Sequence, residues 1–207
     1  LCDDRFEQRQ GINVENLNRV VSSEAEQLIL VDGEDREQGH LSKAACHDGA
    51  GVLHRAFSAF LFNAGGELLL QQRAESKRLW PGYWSNSCCS HPRRGESMAT
   101  ATGRRLSEEL NLTADLRFVY KFQYQAPYGE LGSEHELCHV FLGRFDGDVR
   151  ANAEEITAIR FVSAGALDAE LSQHPERFTP WFKLEWDALT GEHAGLLDAY
   201  THGRGAP

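Results

Sequence analysis

The sequence predicts an α/β fold in which helices pack on both faces of a mixed β-sheet. Residues 52–62 are largely apolar on both alternating faces, which is typical of a central strand that is covered on both sides. Residues 96–110 have the apolar spacing of a helix, and further strand and helix patterns follow in mixed order. The length of 207 residues and the even composition favour a single domain.

The hydrophobic patterning that indicates helices and strands is weak in the residues before the central strand. Residues 1–25 are polar and acidic, and we expect a mobile extension in which residues 14–21 could form a short helix. Residues 28–31 predict a short strand, which ends at the turn signal Asp32-Gly33. Residues 39–51 are expected to form a loop that holds His40, Lys43 and His47.

A hairpin and a helix follow the central strand. Residues 63–66 form a turn signal before a second strand at 67–73, and the two strands together predict a hairpin. The helix begins at Glu96 and Ser97, and one stripe of it is expected to face the sheet. The stripe consists of Ala99, Gly103, Leu106 and Leu110.

Strands and helices continue through the C-terminal half. Strands are predicted at residues 116–125, 134–145 and 159–162, and a helix at 164–173. Thr179 and Pro180 have the residue types of an N-cap and a first helical turn, so another helix begins there. Residues after Gly191 are expected to form a short helix and a frayed tail.

Composition excludes several classes of protein. A net charge of −10 argues against general nucleic-acid binding, which needs a basic face. We find no apolar run long enough to span a membrane and no signal-peptide pattern. Five cysteines without such a pattern favour reduced thiols and a cytoplasmic protein.

Basic residues are concentrated in the middle of this acidic chain, which suggests that they neutralise an anion there. For any one of them, an ordinary surface ion pair is the simpler interpretation. The residues are Arg73, Lys77, Arg78, Arg93, Arg94, Arg104 and Arg105.

Two segments carry side chains suited to chemistry. Residues 80–91 form a Gly/Pro/Ser-rich stretch in which the thiol of Cys89 precedes the imidazole of His91, and the helix after it ends in paired acids. In the strand at 134–145, the two-residue period places Glu134 and Glu136 on one face with Cys138. A reactive loop next to a helix that carries carboxylates is the layout of a metal-assisted site.

The helix resembles the Nudix signature, G-x5-E-x7-R-E-U-x-E-E-x-G-U. Glu96, Arg104, Leu106, Glu108, Glu109 and Leu112 match it, whereas Ser90, Arg105 and Asn111 replace a Gly, a Glu and a Gly. A Nudix hydrolase concentrates carboxylates on this helix to hold a metal against a diphosphate. Arg105 puts a cation where one of those acids is expected, so hydrolysis is disfavoured.

A closer resemblance is to the type 1 isopentenyl-diphosphate isomerase family, which shares the Nudix-like α/β/α sandwich. The matching stretches include G-V-L-H-R-A-F-S-A-F-L-F, L-L-L-Q-Q-R-A-E-S-K, W-P-G-Y-W-S-N-S-C-C-S-H-P, R-R-L-S-E-E-L, E-H-E and T-P-W-F. They occur in order across residues 43–182. We expect an extension at 1–25, a Nudix-like catalytic domain at 26–190 and a tail at 191–207, and the extension and tail lie outside the match.

The resemblance implies isomerisation of isopentenyl diphosphate to dimethylallyl diphosphate through a tertiary carbocation. It assigns Cys89 and Glu136 as the two proton-transfer groups, Tyr124 as the partner of Glu136, and Trp181 as the ring that stabilises the cation. Cys88 is expected to be structural. The implied transition-metal ligands are His47, His54, His91, Glu134 and Glu136, a set that suits zinc, manganese or iron.

The family also implies a diphosphate site and a second metal ion. The matching diphosphate contacts are Lys43, Arg73, Lys77 and Arg105, and Glu109 is the matching magnesium ligand. No flavin, nucleic acid or membrane is expected, and the chain is expected to be a monomer. Two alternatives remain open: a Nudix hydrolase of nucleoside diphosphates, and a non-enzymatic module that a metal ion stabilises.

Overall fold

The computed structural model describes residues 19–202 and confirms the α/β prediction. Within these residues, nine strands belong to one mixed sheet. The strands are β1 (Gln27–Val31), β2 (Glu37–Ser42), β3 (His54–Phe62), β4 (Leu68–Arg73), β5 (Trp84–Ser85), β6 (Cys88–Ser90), β7 (Leu116–Pro127), β8 (Ser133–Arg144) and β9 (Ile156–Val162). The helices are α1 (Lys43–His47), α2 (Met98–Leu110), α3 (Ala164–Gln173), α4 (Pro180–Thr190) and α5 (Ala194–Thr201).

Strand β3 is the central strand, as predicted. It runs parallel to β8 along its whole length, from the pair His54–Glu136 to the pair Phe62–Arg144, and antiparallel to β6, where Ser58 pairs with Cys89. Because the side chains of β3 alternate between the two faces, one strand contributes to two hydrophobic cores. The register also brings together residues that are far apart in the sequence.

The two cores identify the layers of the fold. On one face, Phe60 packs against Phe182 of α4, with 5.9 Å between the ring centroids, in a core that also includes residues of α3 and α5. On the other face, Phe57 lies in a core with Leu106 and Leu110 of α2. The sheet therefore lies between α2 and the three C-terminal helices, which is the predicted α/β/α sandwich.

Two local predictions are wrong, and the predicted hairpin is shorter than expected. Residues 39–51 include β2 and α1 rather than a loop, because Ser42 caps α1 by accepting a hydrogen bond from the amide of Ala45. The predicted hairpin is paired only at Phe62–Leu68, since β4 turns away to pair with β9. The helix stripe is also wrong in its first half, because Ala99 and Gly103 are exposed.

Helix α2 buries charged residues together with apolar ones. Its buried residues are Ala101, Thr102, Arg105, Leu106, Glu109 and Leu110. Ser97 caps the helix by accepting a hydrogen bond from the amide of Thr100 at 3.1 Å, and Asn111 ends it with φ of 53°. Asn tolerates this left-handed conformation, so it can occupy the position where the Nudix signature has Gly.

The two ends of the chain are described only in part. The helix considered for residues 14–21 lies mostly outside the described residues, and residues 19–21 are neither helix nor strand. The predicted C-terminal helix is present as α5, and residues 203–207 lie outside the description. Among the helices between residues 19 and 202, none has the length and apolar character needed to cross a membrane.

Candidate active site

A cavity of about 370 Å³ lies at the start of β8, between α1, β6 and α4. Every site residue predicted from the sequence lines this cavity except His54 and Glu109, which lie behind its wall. The lining members of that set are Lys43, His47, Arg73, Lys77, Cys89, His91, Arg105, Tyr124, Glu134, Glu136 and Trp181. The register of β3 with β8 and β6 explains most of this convergence.

Three imidazoles and two carboxylates form one cluster in the cavity floor. One ligand atom from each residue lies within 4.8 Å of all the others. The residues are His47, His54, His91, Glu134 and Glu136. The predicted alternation of β8 is observed, because Glu134, Glu136 and Cys138 are all buried while His135 and His139 lie on the other face.

The histidine rings are oriented by the backbone. The Nδ1 atoms of His47 and His54 lie 2.7 Å from the carbonyl oxygens of Lys43 and Val52. A carbonyl can only accept a hydrogen bond, so each Nδ1 donates its proton. The Nε2 lone pair of His54 therefore faces the cluster, whereas Nε2 of His47 lies 2.7 Å from Oε2 of Glu134, which would give up this contact when a metal binds. The Nε2 atom of His54 is buried and has no hydrogen-bond partner among the described residues.

This arrangement fits a divalent metal ion. An oriented, unpartnered imidazole nitrogen is costly to bury unless something binds it. The mixed nitrogen and oxygen donors suit zinc, manganese or iron, and the geometry does not distinguish between these metals. The cluster could therefore hold a metal, as the sequence predicts.

The electrostatics of the cluster separate its two carboxyl groups. Burial, and then the charge of Glu134, raise the pKa of Glu136 to about 7. Burial by itself would raise the pKa of Glu134. The charge of His47 and its hydrogen bond outweigh burial, so the pKa of Glu134 is lowered. Burial lowers the pKa of His54 to about 3, so this ring is neutral and ready to act as a ligand.

Glu136 also contacts the rest of the site. The hydroxyl of Tyr124 donates a 2.7 Å hydrogen bond to Oε2 of Glu136, and Nε2 of His91 lies 2.7 Å from Oε1. The partnership between Tyr124 and Glu136 is therefore present. It follows from the antiparallel register in which the two residues face each other on β7 and β8.

Cys89 lines the cavity, but its surroundings differ from the polar loop that the sequence suggested. Residues 84–85 and 88–90 are the short strands β5 and β6, and Ser85, Asn86 and Ser87 are fully buried. Their polar groups are satisfied internally; for example, Ser87 donates to the carbonyl of Leu69 at 2.6 Å. Burial raises the pKa of the Cys89 thiol to about 12, so the thiol is protonated.

Trp181 forms one wall of the cavity and is only 3% exposed. Its Nε1 donates a hydrogen bond to Oγ of Ser85 at 3.1 Å. The guanidinium carbon of Arg73 lies 5.3 Å from the centroid of its ring. The ring is thus fixed in place with a cation over one face.

The predicted diphosphate contacts all reach the cavity, but none is a free cation. Arg105 contacts Glu109 at 2.6 Å and Glu155 at 3.1 Å, and Lys77 also contacts Glu155. Arg73 donates to the carbonyl oxygens of Leu79 and Trp80. Binding of an anion would therefore require some of these cations to exchange partners.

Lys43 is hydrogen-bonded to the segment before β1, which the sequence analysis assigned to the N-terminal extension. Its Nζ donates to Oγ of Ser22 at 2.5 Å, and Arg105 donates to the carbonyl of Val21 at 3.2 Å. Ser22 and Glu24 line the cavity. Ser22 and Glu24 are thus part of the site, and the boundary of the N-terminal extension at residue 25 stays a prediction.

Glu155 is a further site residue that the sequence reasoning missed. It is 3% exposed, lines the cavity, and its Oε2 contacts both Lys77 and Arg105. The residue follows Glu154 in an acidic run before β9, and its spacing gives no signal that separates it from its neighbour. Only the pairing of β9 with β4 brings it to the cavity.

Comparisons with known proteins agree with this fold. Residues 52–182 match the NUDIX domain family, so the chain is a NUDIX-domain protein. Two solved structures share the fold: the protein DR0079 of Deinococcus radiodurans and a MutT protein of Methanosarcina mazei. The first has a TM-score of 0.62 and 23% identity, and covers 84% of this chain and 99% of the other. The second has a TM-score of 0.57 and 21% identity, and covers 68% of this chain and 95% of the other.

Curated relatives define the family more narrowly. Isopentenyl-diphosphate Delta-isomerase 1 of Photorhabdus laumondii is 44% identical over 174 residues, which cover 83% of this chain and 99% of the relative. Isopentenyl-diphosphate Delta-isomerase of Serratia proteamaculans is 48% identical over 158 residues, covering 76% of this chain and 87% of the relative. The chain belongs to the isopentenyl-diphosphate Delta-isomerase family within the NUDIX-domain proteins.

Proposed function

We propose that this chain catalyses the metal-dependent isomerisation of isopentenyl diphosphate to dimethylallyl diphosphate. Family membership identifies the substrate. The observation that carries the mechanism is one cavity that combines a protonated thiol, a tyrosine-bonded carboxylate, a tryptophan face and a His/Glu metal cluster. The reaction moves a double bond by one carbon, so a proton must be added at one end of the allyl unit and another removed at the far end.

Cys89 and Glu136 are the proposed proton-transfer groups. The thiol of Cys89 holds a proton at neutral pH. Burial and the charge of Glu134 raise the pKa of Glu136 in the metal-free protein, and a bound metal would act in the opposite direction, so the two together would set its proton affinity. Tyr124 holds the carboxylate by its 2.7 Å hydrogen bond. The two groups exchange roles when the reaction runs in reverse.

Trp181 is proposed to stabilise the tertiary carbocation between the two proton transfers. A ring face over a desolvated cation contributes roughly 2 kcal/mol. A divalent metal held by the His/Glu cluster supplies positive charge beside Glu136 and so lowers the basicity of its carboxylate.

The diphosphate is proposed to bind at the basic end of the cavity. Lys43, Lys77 and Arg105 can turn from their present oxygen partners to phosphate oxygens, which carry more charge. Arg73 is proposed to contact the diphosphate from its position beside Trp181. The monomeric state stays a prediction.

The magnesium ion predicted at Glu109 fits this structure less directly. Glu109 is buried behind Arg105, which contacts its Oε1 at 2.6 Å. We propose that Glu109 binds magnesium only together with the diphosphate, when Arg105 has exchanged its partner. The cytoplasmic location stays a prediction.

The hydrolase alternative has less support. Glu96, Glu108 and Glu109 are each bound by Arg104 or Arg105, and they are not among the residues that line the cavity. A hydrolase would need these carboxylates to face the substrate and hold metal there. The isomerase is therefore the function that the site supports better.

The direct test is an assay in heavy water with isopentenyl diphosphate and supplied divalent metal. We expect dimethylallyl diphosphate that carries deuterium, with no release of phosphate, and loss of conversion when a chelator is added. Release of phosphate or of a nucleoside monophosphate from a nucleotide panel would support the hydrolase instead. No conversion with any divalent metal would refute the proposal.

Matched variants test the assigned roles. Cys89→Ala and Glu136→Gln should each lower kcat by at least about 10³-fold, because each removes a proton-transfer group. Cys88→Ala is the control, since Cys88 is fully buried in the core beside α2 and should retain activity within a few-fold. A Cys89→Ala enzyme with a rate close to that of Cys88→Ala would remove Cys89 from the mechanism.

A further inference from the structure

Trp80 has an uncommon backbone conformation for a bulky residue. Its φ is +47°, and the other two non-glycine residues with positive φ among residues 19–202 are Asp35 and Asn111. Asp and Asn adopt the left-handed region with little penalty, whereas a large aromatic residue does so only when its surroundings impose it. Strain of this kind is often retained because it serves a site.

Arg73 imposes this conformation. Its Nε donates to the carbonyl of Trp80 at 3.1 Å, and its Nη2 donates to the carbonyl of Leu79 at 2.9 Å. The backbone of Arg73 is also bonded across the same turn, to Gly82 and Tyr83. The turn that carries Trp80 is thus fixed to the end of β4.

The ring of Trp80 lies directly behind the cavity wall. It is 3% exposed and stands perpendicular to the ring of Trp181, with 5.2 Å between the centroids. Its other neighbour is Tyr128, at 5.0 Å, in the turn that leads into β8. Trp80 therefore contacts both α4, which carries Trp181, and the turn before the strand that carries Glu134 and Glu136.

Three contacts together leave Trp181 little freedom. Trp80 meets the ring at right angles, the guanidinium of Arg73 lies over one face, and Ser85 accepts the hydrogen bond from Nε1. Without Trp80 the ring of Trp181 would gain space to tilt away from the cavity. Its hydrogen bond to Ser85 alone does not prevent rotation about that bond.

We propose that Trp80 is a positioning residue that holds the ring of Trp181 in the orientation needed to face a cationic intermediate. The inference rests on the proposed isomerase function. Trp80 itself does not line the cavity, so it acts through Trp181 and not on the substrate. A residue with this role should affect kcat, because the cation exists only after substrate has bound.

The test compares Trp80→Leu, Trp80→Phe and Trp186→Phe. Trp186 is the control because it is also 3% exposed and lies on α4, but it does not line the cavity and is not paired with Trp181 in a ring contact. For Trp80→Leu we expect kcat to fall by at least tenfold, with KM and inhibition by inorganic diphosphate changed by less than threefold. Trp80→Phe should recover part of the loss, and Trp186→Phe should stay within twofold of the wild type.

A readout without activity separates the two proposals. The four tryptophans of the chain can be replaced by 5-fluorotryptophan and their ¹⁹F signals assigned by single substitutions. We expect the Trp181 signal to shift or broaden in Trp80→Leu and to stay unchanged in Trp186→Phe. If the wild type lacks isomerase activity, the proposed function fails, while this signal still reports on the position of Trp181.

Two results would overturn the positioning role. The first is a Trp80→Leu enzyme with kcat within twofold of the wild type. The second is an unchanged Trp181 signal in a variant whose kcat has fallen. If Trp80→Leu does not fold, Trp80→Phe carries the test, and a loss of kcat no larger than that of Trp186→Phe then refutes the role.

Discussion

Replacing Glu185 with glutamine will make the free energy of unfolding less dependent on pH. Glu185 lies on α4, one turn after Trp181, and is 0% exposed. The thiol of Cys138 donates to its Oε1 at 3.4 Å, while Oε2 has no partner among residues 19–202. Burial raises the pKa of this carboxyl from near 4.5 to about 8, although hydrogen bonds from Ser58 and Cys138 oppose the change.

The magnitude follows from the protons bound in each state. Between pH 4.5 and 8 the unfolded chain has lost the proton of Glu185, whereas the folded protein keeps it. The folded state therefore binds more protons, and stability falls by about 1.4 kcal/mol for each pH unit. Over the range from pH 5 to 8 the loss is on the order of 4 kcal/mol. Below this range the proton is bound in both states, so the stability is fully present.

Urea unfolding of the wild type and Glu185→Gln at pH 5, 6, 7 and 8 measures this effect. Both proteins should be stripped of metal in the same way, so that the His/Glu cluster contributes equally to both. Glutamine does not titrate, and the variant should gain on the wild type by about 1.4 kcal/mol per pH unit. It should be the more stable protein at pH 8.

Parallel pH profiles for the two proteins would refute this reasoning. They would mean that Glu185 is ionised in the folded state at neutral pH, with a partner that the structure does not show. Glu176→Gln is the control, because the side chain of Glu176 is 69% exposed and its replacement should leave the profile unchanged.

Three further predictions concern metal, charge and backbone. A chelator should lower the melting midpoint of the metal-loaded wild type by about 5–10 °C and leave the melting midpoint of His54→Ala unchanged. Calorimetry measures both midpoints, and an equal decrease in the two proteins would place the metal elsewhere. Glu155→Gln should lower KM several-fold, because Lys77 and Arg105 no longer have to leave a shared carboxylate in order to bind the diphosphate. The exposed Glu130→Gln should leave KM unchanged; steady-state kinetics measure both, and an unaltered or higher KM for Glu155→Gln would contradict the prediction. Asn111→Ala should lower the free energy of unfolding by about 1 kcal/mol, because alanine is unfavourable at a φ of 53°, whereas Asn111→Gly should not lower it. Urea unfolding measures both, and equal stabilities would argue against a left-handed cap.

Regular patterns in the sequence predicted the parts of the fold that depend on local physics. The alternation of β8 and the Thr-Pro start of α4 are set by neighbouring residues, and both agree with the structure. The metal-site candidates came from the family resemblance, and the structure brings the five side chains together through the pairing of β3 with β8.

The errors arose where distant partners decide the structure. Strand β4 pairs with β9 instead of continuing a hairpin with β3, and no local pattern in residues 63–73 distinguishes these outcomes. The buried face of α2 includes Arg105 because Glu109 and Glu155 satisfy its charge inside the protein. Such compensation is invisible until the partners are placed, and for the same reason the sequence did not identify Glu155.

The parallel pairing of β3 with β8 has a consequence for how the protein folds. The pair His54–Glu136 joins positions about 80 residues apart, so this contact closes a long loop and forms slowly relative to local elements. Until it forms, His47, His54 and His91 have no carboxylates beside them. Metal binding should therefore appear only after the central pairing is complete, and the kinetics of metal uptake would report the last step in assembly of the sheet.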